Sequence, residues 1–168
     1  MDDSILKSKF SNIFINLLYS IMINDITKVR HFLSDEVASE IEKIIERNKS
    51  NNEKQMYDEL NVKDIMLTSR ETTSTKEIIN VTIISRYMDY IIDADTGEYK
   101  RGVKDYRVER SNYLTFERYL NAKDRPILFK CPNCGADMDI NNSGRCNFCR
   151  EVVDLSDYEY ILTQIVVE

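Results

Sequence analysis

Four closely spaced cysteines constrain this chain more than any other feature. The segment KCPNCGADMDINNSGRCNFCREVV sets out Cys131, Cys134, Cys146 and Cys149 as CxxC, an 11-residue spacer and CxxC. Each CxxC brings two sulfurs onto one tight turn. Pro132 and Gly135 suit such a turn, the first by fixing φ and the second by permitting a positive one. Two such turns facing each other make a tetrahedron of thiolates, the geometry zinc prefers, and four protein ligands leave no position for water or substrate. The spacing therefore predicts one structural zinc in a ribbon, with Asn141 to Gly144 as the turn between its arms. A thioredoxin-like redox pair, a rubredoxin-type iron site and a pair of disulfides are the rival readings, and the redox pair lacks the βαβ patterning it needs.

Elsewhere the pattern divides in two. Phe10, Ile13, Phe14, Leu17, Leu18, Ile21 and Met22 recur at helical spacing and predict one long helix. Asn24 or Asp25 is placed to cap a short second helix through Leu33. Ser34 is placed to cap a third, carrying Val37, Ile41, Ile44 and Ile45. Met56 to Leu60 reads as one more helical turn. From Val62 onward β-branched and aromatic residues take over. Ile79, Val81, Ile83, Ser85, Tyr87 and Ile91 alternate along one long strand, Asp93 to Gly97 is a turn, and Val103 to Tyr119 returns as its antiparallel partner. Tyr158 to Val167 is a further strand. Helices first and strands later predict an α+β fold, with N-terminal helices packed on a curved antiparallel sheet and the zinc ribbon inserted before the last strand.

The amphipathic helices before MYDELNV, the hairpin ending SNYLTFERYL and the ribbon ahead of DYEYILTQIVVE together resemble the Tim44-like domain family, in a bacterial form carrying a zinc ribbon. The resemblance implies a cystatin-like, or nuclear-transport-factor-like, cone with a hydrophobic cavity, and the expected function is a non-enzymatic module that binds a protein or an apolar ligand. In the mitochondrial relative this domain contacts membrane lipid and translocation machinery. The expected boundaries are residues 1–126 with 156–168 for the cone and 127–155 for the ribbon.

Charge narrows the partners. The formal net charge is -6, and four thiolates around a divalent ion move it to about -8. Within the ribbon Lys130, Arg145 and Arg150 face Asp137, Asp139, Glu151 and Asp154, so nucleic acid is not an expected partner. The stretch from Ile13 to Ile23 is too short to span a bilayer. The start Met1-Asp2-Asp3 lacks the positive region of a secretory signal, and the expected location is the cytoplasm.

The first helix carries Ser4, Ser8, Asn12, Asn16, Ser20 and Asn24 at four-residue spacing, a narrow polar stripe that winds slowly around an otherwise apolar surface. Phe14, Leu17, Leu18 and Ile21 are accordingly candidate contacts for a protein or apolar ligand, or for a membrane surface reached with the help of Lys7 and Lys9. The alternative function is a cavity enzyme acting on a small apolar substrate, for which Asp64, Asp89, Asp105, Glu109, Tyr87 and Tyr106 are the strand-borne acid/base candidates. His31, the single histidine, is expected to be structural.

Overall fold

The computed structural model describes residues 2–120, 128–131, 133–139, 145–151 and 160–168. Helix α1 (Asp3–Met22) begins where Asp2 Oδ1 accepts the Ser4 N–H at 3.3 Å, and helix α2 (Asp35–Ser50) begins where Ser34 Oγ accepts that of Val37 at 3.3 Å. Both helices end on an asparagine with positive φ, Asn24 at 54° and Asn52 at 53°. Asparagine tolerates this left-handed conformation better than most side chains. Between the helices, the expected second helix is only a 3-10 turn, Arg30–Phe32.

Strands β1 (Glu53–Thr72), β2 (Lys76–Asp93) and β3 (Tyr99–Tyr119) form an antiparallel meander. After the cysteine segment, which holds the short pair β4 (Leu128–Lys130) and β5 (Asp137–Asp139), β6 (Ile161–Val167) adds to β3, so the sheet order is β1-β2-β3-β6. This is the expected α+β architecture with the four-cysteine segment inserted before the last strand. One expectation fails: residues 56–60 are strand, not helix. Met56 pairs with Tyr90 and Tyr57 with Asp89, and cross-strand pairing overrides the helix-forming composition of the segment.

Bulges set the sheet's shape. Between the Asp58–Met88 and Asn61–Arg86 pairs, β1 carries an extra residue at a point where Glu59 has φ 52°. On the other side of β2, Tyr87 pairs with Val108 but Asp89 pairs with Val103, leaving residues 104–107 of β3 without β2 partners. Both neighbours of β2 thus bulge at the level of Tyr87 and Met88, and bulges there increase the local twist and bend. Gly102 makes the pairing beyond the bulge possible: its φ is 106°, and a Cβ in its place would lie 2.5 Å from the Asp89 carbonyl oxygen.

Alternation then separates the faces of the sheet. Ile79, Val81, Ile83 and Tyr87 of β2, Leu114 and Phe116 of β3 and Leu162 of β6 point toward the helices and are buried. Phe10 of α1 stacks on Phe116 with ring centroids 4.0 Å apart and meets Tyr160 edge-on at 5.4 Å. Aromatic and aliphatic side chains make up this buried layer among the described residues. The opposite face is wetter. There Asn80 donates to Ser69 Oγ at 2.7 Å and accepts from Thr115 Oγ1 at 2.8 Å, and Lys63 and Arg86 both bind Glu109.

Candidate metal centre

The two CxxC segments fold as copies of one turn. The Cys131 N–H donates to the Ala136 carbonyl and the Gly135 N–H to that of Cys131, each at 2.8 Å; in the second turn Cys146 donates to Glu151 and Arg150 to Cys146, each at 3.0 Å. The residue after the second cysteine takes a positive φ in both, Gly135 at 75° and Arg150 at 68°. Within each turn the first cysteine, Cys131 or Cys146, is buried, whereas Cys134 is exposed and Cys149 lies between.

The four sulfurs converge. Cys131 Sγ lies 3.7 Å from Cys149 Sγ and Cys134 Sγ 3.6 Å from Cys146 Sγ, and all four lie within 4.8 Å of one another. A tetrahedron with metal–sulfur bonds of about 2.3 Å has edges of about 3.8 Å, so the cluster has the size of a four-thiolate metal site. These separations exceed the roughly 2.05 Å of a disulfide, and all four cysteines are free. The backbone is arranged for thiolate. The amide N–H of Cys149 and that of Phe148 approach Cys146 Sγ at 3.5 and 3.4 Å, and they hold its thiol down to about 6. The donor set and its spacing thus fit a metal ion.

The insertion leans on the helical layer. An ideal Cβ on Gly135 would lie 3.7 Å from Thr27 Cγ2, and β4 runs beside the 3-10 turn. Sequence reasoning found the four cysteines and Gly135 but missed Arg150. Superimposing CPNCGA on CNFCRE would have put that arginine at the glycine's position. Pro132 and the expected turn at residues 141–144 lie outside the described residues, as do Asp154 and the first residues of the expected last strand.

The other candidate residues are placed differently. Phe14, Leu17, Leu18 and Ile21 are 0%, 1%, 7% and 3% exposed, all inside the core. As placed, none of the four offers surface to a partner, a ligand or a membrane, because α2 and the sheet cover the apolar arc left by the winding stripe. The stripe itself passes from exposed Ser4, Ser8, Asn12 and Asn16 to buried Ser20, whose hydroxyl donates to the Asn16 carbonyl at 2.9 Å. No helix among the described residues is long and apolar enough to cross a membrane.

Of the six acid/base candidates, Asp64, Asp105, Tyr106 and Glu109 are exposed. Tyr87 and Asp89 do come together, with Tyr57 edge-on to Tyr87 at 4.9 Å. The Asp89 carboxylate is engaged, however, accepting from Gln55 Nε2 at 2.7 Å and facing Arg110 Nη2 at 3.4 Å. His31 is buried, with its ring 3.9 Å from that of Phe32, and burial pushes it down to about 4.

The model of the Tim44-like domain matches residues 2–127, from the start of α1 to the edge of β4. The chain belongs to the Tim44-like domain family. No curated protein matches it.

Proposed function

We propose that this protein is a non-enzymatic binding module, in which residues 127–155 form a zinc ribbon inserted into a cone made of residues 1–126 and 156–168. Cys131, Cys134, Cys146 and Cys149 hold one structural zinc ion. The observation that carries this reading is the convergence of all four sulfurs within 4.8 Å. Four thiolates complete a tetrahedron, so no open position is left for Lewis-acid chemistry. The engaged Asp89 carboxylate argues in the same direction, and the family's tethering role supports a task of holding partners together. A reducing compartment such as the cytoplasm keeps the thiols available to metal. Net charge of -6 disfavours nucleic acid as the partner.

Zinc and iron both accept four sulfurs, so the first experiment is metal analysis of protein purified without chelator. About one colourless zinc per chain is the expected result, with loss of that metal in Cys134→Ser. A red, redox-active iron centre would replace zinc in this reading, and a folded, oxidised, metal-free protein would overturn it.

A further inference from the structure

The end of α1, the connection after it and the C-terminal half of α2 enclose an open cleft of about 630 Å³. Its lining is mostly polar, with Asn24, Asp25, Glu42 and Glu46 beside Ile23 and Ile26, and Ile45 is buried at its base. Ile23 is 57% exposed, and Tyr19, one turn earlier on α1, is 53% exposed. From Phe10 through the end of α1 to Asn24 no residue is charged, so the surface leading into the cleft is neutral and partly apolar.

Glu42 and Glu46 are one helical turn apart on α2. Like charges at this spacing disfavour a helix slightly. Neither makes an ion pair among the described residues, whereas Asp25 Oδ1 accepts the Thr27 N–H at 2.9 Å and has Lys49 and Lys28 near it. Two carboxylates beside the exposed Ile23 match a long cationic side chain, whose methylene stem packs against isoleucine while its head meets the acids.

We propose that this cleft docks a protein segment bearing arginine or lysine together with an apolar residue one helical turn away, the cation meeting Glu42 and Glu46 and the apolar residue resting on Ile23 and Tyr19. The inference deepens the binding-module reading and rests on it. Charge complementarity selects the occupant, since a second copy of this net-acidic chain or an anionic lipid surface would bring negative charge to negative charge.

The test is fluorescence polarisation of the metal-loaded full chain with a labelled synthetic peptide that presents Arg and Leu at helical i, i+4 spacing, beside the same peptide with Glu for Arg. Saturable one-to-one binding of the Arg peptide is expected, weakening with salt, and the Glu peptide should not bind. The double variant Glu42→Lys/Glu46→Lys should lose at least tenfold in affinity, and Ile23→Ser several-fold. Glu36→Lys/Glu40→Lys changes the net charge by the same amount away from the cleft, and it should bind as the parent does. Equal losses in the two double variants, or none in either, would overturn the cleft as the site while leaving the binding-module reading in place. Absence of saturable binding by the parent chain would overturn the proposed occupant, and the metal result stands or falls separately.

Discussion

Gly135 and Arg150 occupy the same position in two copies of one turn, each the residue after an outer cysteine and each with its φ near 70°. Only the first is a residue for which that conformation is free of strain. An L side chain in the left-handed region costs roughly 1–2 kcal/mol. Arg150→Gly should therefore stabilise the insertion by about 1 kcal/mol, because Arg145 Nη1 bonds to the Arg150 backbone carbonyl, which the substitution keeps. Gly135→Ala should weaken it by a similar amount, since its new methyl meets only ordinary contact with Thr27 and the cost is backbone strain. Chelator competition reads both changes as shifts in metal retention.

Burial divides α1 into two classes of position. Leu17 is 1% exposed and Tyr19 is 53% exposed, two residues apart. Leu17→Ala should cost about 2–5 kcal/mol, with the same expectation at Leu18, whereas Tyr19→Asn should stay within about 0.5 kcal/mol. Urea denaturation of the metal-loaded protein measures the difference.

Tyr160, the first described residue after the insertion, donates its hydroxyl to Glu77 Oε1 at 2.6 Å, while Arg70 binds the other oxygen at 3.2 Å. Burial works to raise the Glu77 carboxyl, but the Tyr160 hydrogen bond and Arg70 outweigh it and hold it below the ordinary carboxylate range. Tyr160→Phe leaves the ring in the core and removes the donor. A hydrogen bond to a charged group contributes about 1.5–3 kcal/mol, and a loss of that size in the unfolding free energy at pH 7 is the expected outcome.

His31 gives stability a pH dependence. Its pKa is about 4 in the folded chain, below the unfolded value of 6.5, so the unfolded chain takes up the proton first as pH falls. The contribution is fully present above pH 6.5 and is lost progressively on acidification from pH 6.5 toward 4, with a ceiling of about 3 kcal/mol. Comparing urea midpoints of the parent and His31→Gln from pH 7 to 5 isolates this effect, because the lowered carboxylates titrate further down. A steeper fall in the parent is expected. Parallel curves would assign the acid sensitivity to other groups.

Local chemistry made the metal centre legible: two CxxC turns need only nearby residues, and their spacing already specified four converging sulfurs. Ser34 as a cap and the alternation of Ile79 to Tyr87 were readable for the same reason. The beginning of β1 was not, because Glu53 to Leu60 is composed of good helix formers and becomes strand only by pairing with β2. The burial of Leu18 and Ile21 and the cleft that Ile23 and Ile45 both line likewise depend on where α2 returns, which no local pattern encodes. A like-charged pair such as Glu42 and Glu46 at four-residue spacing was the one visible trace of the cleft.

The place of the insertion also bears on the order of folding. Leu162 and Tyr160 complete the core, and Leu162 accepts the Ser34 N–H, yet β6 reaches β3 only after the chain has passed through the cysteine segment. Pairing Glu117 with Ile161 closes a loop that spans that whole segment. A metal ion joining Cys131 to Cys149 would take the residues between them out of the loop and shorten it by about two fifths, where each halving of a flexible loop saves about 0.6 kcal/mol of closure entropy. A metal ion bound early by these four sulfurs would thus bring the last strand within easier reach of its neighbour, and would act as a kinetic aid to finishing the core.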